Sequence, residues 1–584
     1  MLSKSSLNAA TKARVPTAVV LGGLLGIGVV LGLGATPSVQ APLVSIVIKP
    51  EKVNLANASG VVEVTIAIPA VKAQANKPFL SKDLMVPGLA RPEKLFDLKV
   101  VDGAGAVPMS EITSRDGPTS WVPSRPIMGQ TVISYRLLAE NIPALSGGPP
   151  IALRVDGDGV SAASEVLIMT PALKGNYRIS LNLDTSQMGV GAKGLSSFGD
   201  GNVTLPAGPI ARLEDAFFMA GHLSQEPVDP SGAFSSAWVS GQPSFDPRPL
   251  MRWTAKLHAK MSDFFKESTE PLYRVFLRFN PMNAGGGAAF INSFVVTYGT
   301  GVTSETLKPI LGHEMVHTFT TTGLGEGLDK WYPEGIAVYY QTQIAWRAGL
   351  LSTDRYLEDL NKTAYGYFTN ARRSTPEDQV SPNFWKSTLI RVLPYDRGAM
   401  YFAVLNGMIR RASGGKRSID DLIQVMVQRG RDGKTVTKSD WQNLLQKEIG
   451  KEGPKVTDSL FAGGLMLPKS GDFGPCFRRV VRKMPQFDLG FDNASIVTNP
   501  KIIRGLDPHS NAAKAGLHNG DQVTYAVSLD ALQTDLDHKL NLQVTRDGKT
   551  FTISYLPRGA EVDAYQWERV PNIPDTSCRP GKWP

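Results

Sequence analysis

Two histidines four positions apart, His313 and His317, with Glu314 directly after the first, are the residues of this chain best suited to chemistry. On a helix, positions i and i+4 leave the same face about one turn apart, so the two imidazoles converge on one point. Imidazole nitrogens ligate zinc at about 2.0–2.1 Å, and a catalytic zinc takes three protein ligands while keeping one position for water. A third donor is therefore needed, and Glu334 is the candidate. It follows His317 after 16 intervening residues, beyond a turn-rich stretch holding Gly323, Gly325 and Gly327. Pro333 just before it suits the first turn of a second helix. Glu314 points to one side of the ligand face, within reach of a zinc-activated water, and is the natural general base.

Several elements must hold these groups in place. Leu250, Trp253, Leu257, Met261 and Phe264 recur at three- and four-residue spacing, which predicts an amphipathic core helix over 249–267. Residues 273–279 alternate as a strand, 283–289 break the pattern with glycines, and 290–298 form a second strand just ahead of the histidine helix. The second metal helix runs over 334–346, and helical periodicity returns over 418–449. The stretch 463–475 is a Gly- and Pro-containing linker.

With Trp331-x-x-Glu334-Gly335-x-Ala337-x-Tyr339 added to the histidine pair, the chain resembles the gluzincin metallopeptidases. Specifically, it resembles the glycyl aminopeptidase family, whose members join such a catalytic domain to a PDZ domain. The resemblance implies a thermolysin-like mixed α/β catalytic domain with one Zn2+ per chain on His313, His317 and Glu334. It implies hydrolysis of peptide bonds in peptide or protein substrates, with Glu314 as base, and an extended substrate laid along the strand ahead of the zinc helix. Relatives carry a glutamate in a Gly-rich motif that holds the substrate's free amine. Gly285-Gly286-Gly287-Ala288-Ala289 has no acid, so aminopeptidase and endopeptidase activity both stay open, and the glycines also suit a plain hairpin turn. Leu393-Pro394-Tyr395-Asp396-Arg397-Gly398-Ala399 is similar to the family's Tyr-Glu-Lys-Gly motif with both charged residues replaced. The resemblance gives Tyr395 the role of hydrogen-bonding the oxyanion of the tetrahedral intermediate, while Arg397 is equally suited to neutralising nearby carboxylates.

At 584 residues the chain is too long for one core, and 42% hydrophobic with 20% charged residues is ordinary globular composition. The expected architecture is multidomain α+β. Residues 42–206 form an N-terminal β-sandwich, with alternation at Val62, Val64, Ile66 and Ile68 and over 131–137 and 177–183. Residues 207–465 form the peptidase domain, 476–558 a PDZ β-barrel-like domain, and 559–584 a C-terminal tail. The formal charge of +9 has no dense basic cluster interleaved with aromatics behind it, Arg478-Arg479-Val480-Val481-Arg482-Lys483 being the nearest, so no nucleic-acid partner is expected.

Residues 1–41 begin with Lys4, Lys12 and Arg14, followed by an uncharged run over 15–33 and small residues up to Ala41. This exports the chain, to the periplasm or beyond. Either the segment is a removed signal peptide or 15–33 stays as an anchor in the inner membrane. In an exported chain the two cysteines, Cys476 and Cys578, read as a disulfide, with two unpaired thiols as the alternative.

Phe487-Asp488-Leu489-Gly490-Phe491 resembles the carboxylate-binding loop of PDZ domains, with Asp488 where a glycine often sits. The stretch 507–521 resembles their helix and turn. That resemblance implies a peptide ligand seated at Leu489, Gly490 and Phe491 as an added strand, although Asp488 would repel its carboxylate. A rival from another class is a peptidase-derived scaffold that tethers envelope proteins or peptides through this domain.

Overall fold

The computed structural model describes residues 40–579, except 114–116, 145–146, 229–231, 242, 270 and 281–283. The basic and apolar N-terminal segment, with the run over 15–33, therefore lies outside the described residues. Among the described residues, no helix is long and apolar enough to cross a membrane.

The N-terminal part is all strand, and its alternation has a direct cause. Val44, Ile46 and Ile48 of Leu43–Pro50, and Val62, Val64, Ile66 and Ile68 of Ser59–Ala73, face one core with their neighbours outward. These two strands sit at the middle of a seven-stranded sheet. The expected sandwich is more elaborate, since a five-stranded and a four-stranded sheet accompany the seven-stranded one. The strands also run past residue 206 to Phe217–Gly221, which is buried along its whole length and so shows no alternation in the sequence.

A mixed five-stranded sheet joins this part to the helices that follow. Its order is Leu223–Glu226, Phe234–Val239, Tyr273–Phe279, Ser293–Tyr298 and Gly287–Phe290. The two faces divide the work by period two. Phe276, Ala288, Phe290 and Val295 enter the N-terminal core, whereas Val275, Leu277, Phe294 and Val296 enter the helical core. The edge strand is the glycine-rich stretch itself: Gly287–Phe290 pairs antiparallel with Ser293–Tyr298, and the hairpin turns at Asn292, whose φ is 43°. The single strand expected over 290–298 is thus two, because alanines and glycines at a sheet edge carry no strand signal.

The helical core holds Arg248–Phe264, Ser304–Thr320, Trp331–Tyr340, Thr353–Phe368 and Leu393–Ala412. The second metal helix starts at Trp331, three residues earlier than expected, and ends at Tyr340 before a short helix Gln343–Arg347.

The C-terminal part has a three-stranded sheet, Gln522–Thr524, Leu540–Arg546 and Lys549–Tyr555, turned at Asp547 and Gly548 with φ of 50° and 72°. Among the described residues no sheet closes into a barrel. Phe477–Phe487 pairs instead with Arg558–Arg569, so residues 559–569 of the stretch 559–584, read as tail, are a strand. Phe477, Ala564 and Trp567 pack into the helical core, and Asn361 brackets Trp567 by donating to its carbonyl (2.7 Å) and accepting from its amide (2.8 Å). Cys476 and Cys578 are joined by a disulfide.

Candidate metal centre

The helix Ser304–Thr320 opens on Thr303, whose hydroxyl accepts from the Thr306 amide, while Thr306 accepts from the Thr303 amide. From Leu311 to His317 every residue is buried, so the helix shows no amphipathic stripe. It crosses the end of the second metal helix at Gly312, where a Cβ would come within 2.0 Å of the Gln341 carbonyl oxygen. Only glycine permits that approach.

The crossing aims the histidine face at the first turn of Trp331–Tyr340. His313 Nε2 and His317 Nε2 lie 3.1 Å apart, and Glu334 Oε2 lies 3.3 Å and 3.2 Å from them. Among the described residues these three form the one group of His, Cys, Asp or Glu donors that could hold a metal, and all three are buried. Donor separations of 3.1–3.3 Å are those of one face of a tetrahedron whose centre is about 2.0 Å from each donor, the distance zinc takes. The fourth corner is left to a non-protein ligand. The donor set fits Zn2+.

The electrostatics suit ligation. Burial pushes His313 down, against the hydrogen bond to Glu334, and favours the neutral imidazole that binds a metal. Burial alone would push Glu334 up, but the imidazoles of His317 and His313 outweigh it and hold the carboxyl well below its ordinary range. His313 Nδ1 lies 3.3 Å from Gln341 Oε1, and Gln341 Nε2 donates to both oxygens of Asp359 at 3.0 and 3.1 Å. This chain orients the imidazole from behind. Neither Gln341 nor Asp359 was read from the sequence; Gln341 sits two helical turns after Glu334, which was the available signal.

Glu314 is fully buried, and among the described residues neither carboxylate oxygen has a hydrogen-bond partner. Burial, then the charge of Glu334, pushes its carboxyl well up. It lies against the edge strand at Gly287, where a Cβ would come 2.5 Å from both Glu314 Cγ and Oε1. The glycine that weakens the strand in the sequence is the space the glutamate occupies.

Tyr395 stands in the first turn of Leu393–Ala412 and stacks on His313, with ring centroids 5.9 Å apart and planes inclined by 17°. Burial, with Glu334 next, pushes its phenol well up, so it stays a neutral donor. Arg397 turns away from the donors: its guanidinium pairs with Glu377 at 2.5 Å and donates to the Arg373 and Thr375 carbonyls.

Leu489 and Phe491 are buried in their own core, and the Gly490 amide donates to Asp488 Oδ1 at 2.8 Å. The chain then forms the short helix Ala494–Val497 rather than a strand with a free edge. The loop's own aspartate thus accepts from one of the loop's amides.

No protein-family model matches the chain, and no curated protein matches its sequence. Among solved structures, it is similar to an aminopeptidase N family protein from Idiomarina loihiensis at 14% identity and a TM-score of 0.63, covering 90% of this chain and 98% of that one. An M1 zinc metallopeptidase from Deinococcus radiodurans covers 74% of this chain and 95% of its own at 14% identity and a TM-score of 0.44. Native yeast LTA4 hydrolase covers 72% and 66% at 11% and 0.45. Over nine-tenths of its length, then, this chain has the multidomain α+β fold seen in the aminopeptidase N family protein.

Proposed function

We propose that the chain is an exported zinc metallopeptidase that hydrolyses peptide bonds and does not require a free amine on its substrate. The observation that carries the reading is the convergence of His313, His317 and Glu334 beside a buried, unpartnered Glu314. A bound zinc ion supplies Lewis acidity toward the scissile carbonyl and makes water a nucleophile near neutral pH. The chain's own groups supply the rest. Glu314 takes a proton from the attacking water and delivers it to the leaving amine, a task suited to a carboxyl raised by burial. The Tyr395 phenol donates to the oxygen that gains charge. The free edge of Gly287–Phe290 aligns the substrate as a further strand beside Glu314. That strand carries Gly287, Ala288 and Ala289 and no carboxylate, which supports cleavage within peptides.

The C-terminal part we read as PDZ-like by its sequence, and the disulfide Cys476–Cys578 supports passage through an oxidising compartment. The test is zinc content together with product mapping on a peptide library with free and acetylated N-termini. Stoichiometric zinc and cleavage of both sets are expected. Cleavage of free-amine peptides alone would make the enzyme an aminopeptidase, and a folded, zinc-free, inert chain would make it a scaffold.

A further inference from the structure

Tyr395 stands at the start of its helix, where a helix is least held. Among the described residues no side chain caps Leu393–Ala412, and Pro394 brings no amide. The first turn hangs instead on Val392, whose carbonyl accepts from the Tyr395 amide at 3.2 Å and the Asp396 amide at 3.1 Å. Val392 itself has helical angles, φ −81° and ψ −10°, and its amide donates to the Thr388 carbonyl at 3.3 Å. The short helix Thr388–Arg391 therefore runs on into the turn that carries Tyr395.

That short helix is gripped from the C-terminal part. Asp530, in the helix Leu529–Thr534, accepts from Arg391 Nε at 2.6 Å and Nη2 at 2.9 Å, and from the Thr388 hydroxyl. Gln533, one turn on, donates to Thr388 Oγ1 at 2.7 Å and to the Thr388 carbonyl at 3.3 Å. A charge-assisted fork of this kind is stronger and better aimed than a single bond, and the Arg391 side chain is only 12% exposed. From the helical part, Asn370 donates to the Leu389 carbonyl at 2.8 Å, between the two gripped ends. The same pair acts on Tyr395 electrostatically. Burial and then Glu334 push its phenol up, Asp530 adds to this, and Arg391 opposes it.

We infer that Asp530 is a positioning residue for hydrolysis: through Thr388 and Arg391 it fixes the turn that presents Tyr395 to the metal centre. The C-terminal part then completes the catalytic site. The inference rests on the role proposed above for Tyr395 and adds what holds that residue in place. A donor out of place by about 1 Å can lose on the order of 10²-fold in rate, so the grip matters to turnover and not only to stability.

The experiment measures kcat, KM and zinc content of the full chain on an N-acetylated peptide for Asp530→Asn, Tyr395→Phe and the double variant. Tyr395→Phe should lower kcat about 10²-fold or more, as for loss of an oxyanion donor. Asp530→Asn should lower it about ten-fold, with KM and zinc content as in wild type, because the affected contact is made only in the transition state. The double variant should be no slower than Tyr395→Phe, since Asp530 acts through the phenol. Arg391→Lys keeps the charge and loses the fork, so it carries the same expectation and serves if Asp530→Asn does not fold. Wild-type kcat in Asp530→Asn beside a slow Tyr395→Phe overturns the inference and leaves the role of Tyr395 standing. So does a double variant slower than Tyr395→Phe by the full Asp530→Asn factor, or a raised KM with kcat unchanged. Wild-type kcat in Tyr395→Phe, or no hydrolysis by the zinc-loaded wild-type chain, overturns the reading of the site and the inference with it.

Discussion

Gly335 and Gly398 meet backbone to backbone: a Cβ on Gly335 would lie 2.7 Å from the Gly398 Cα, and one on Gly398 would lie 2.6 Å from the Gly335 Cα. This contact sets the spacing between the helix that carries Glu334 and the helix that carries Tyr395. Gly398→Ala forces the two apart. Overpacking of this kind costs about 1–3 kcal/mol, so thermal unfolding should shift downward. Turnover should fall more than zinc content, because Tyr395 moves with its helix while both histidines stay on theirs. A variant with wild-type melting and wild-type turnover would show that the helices do not touch here.

Gly287 offers a cleaner steric test. Its φ is negative, so alanine suits the backbone, and the nearest obstacle is the Glu314 side chain 2.5 Å away. Gly287→Ala should displace the carboxylate and cut hydrolysis about ten-fold or more, while zinc stays bound, since no metal donor lies in the path. A small change in turnover would mean that Glu314 has another resting position.

Glu314→Gln keeps the shape and removes the base. Loss of a positioned proton-transfer group is commonly about 10²–10⁴-fold in rate, and metal content should be unchanged because Glu314 is not one of the converging donors. Normal turnover in this variant would take Glu314 out of the reaction.

The chain from His313 through Gln341 to Asp359 predicts a different phenotype. Removing such an outer partner typically weakens metal binding about 10–100-fold. Gln341→Ala and Asp359→Asn should therefore lose zinc to a chelator more readily than wild type, with activity restored by excess zinc. If either variant holds zinc as tightly as wild type, the orientation of His313 is fixed by Tyr395 stacking and not from behind.

How much of this was legible in the sequence depended on whether a feature is local. The two histidines, Glu314 and Glu334 were legible because helical spacing brings 313 and 317 together and Pro333 marks the next helix. Tyr395 was reached through resemblance alone. The edge strand at 287–290 was not legible, because its small residues answer to Glu314, which lies far away in sequence. The same holds for Gly312 at Gln341 and for Asn361 at Trp567, which are tertiary contacts with no local pattern. In the C-terminal loop the aspartate was legible as the departure from the motif, whereas its acceptance from the Gly490 amide is a contact that only the structure gives.

His258 links the aromatic core beneath the sheet to pH. Its ring lies 4.0 Å from Tyr273, 5.4 Å from Phe234 and 5.9 Å from Phe319, centroid to centroid. Burial pushes it down from 6.5 to about 4, against a smaller upward pull from Glu267. The folded state thus holds the neutral imidazole. Between pH 6.5 and about 4 the unfolded chain binds a proton that the folded chain does not, so stability falls as pH falls through this window and is fully present above it. From pH 7.5 to pH 5 the loss from this one group is at most about 2 kcal/mol. His258→Phe keeps a ring among the aromatics and cannot titrate. Denaturant unfolding at the two pH values should show a smaller loss for the variant than for wild type by about that amount. If the two proteins lose stability in parallel, the imidazole is protonated in the folded state, and its neighbours do not exclude the charge.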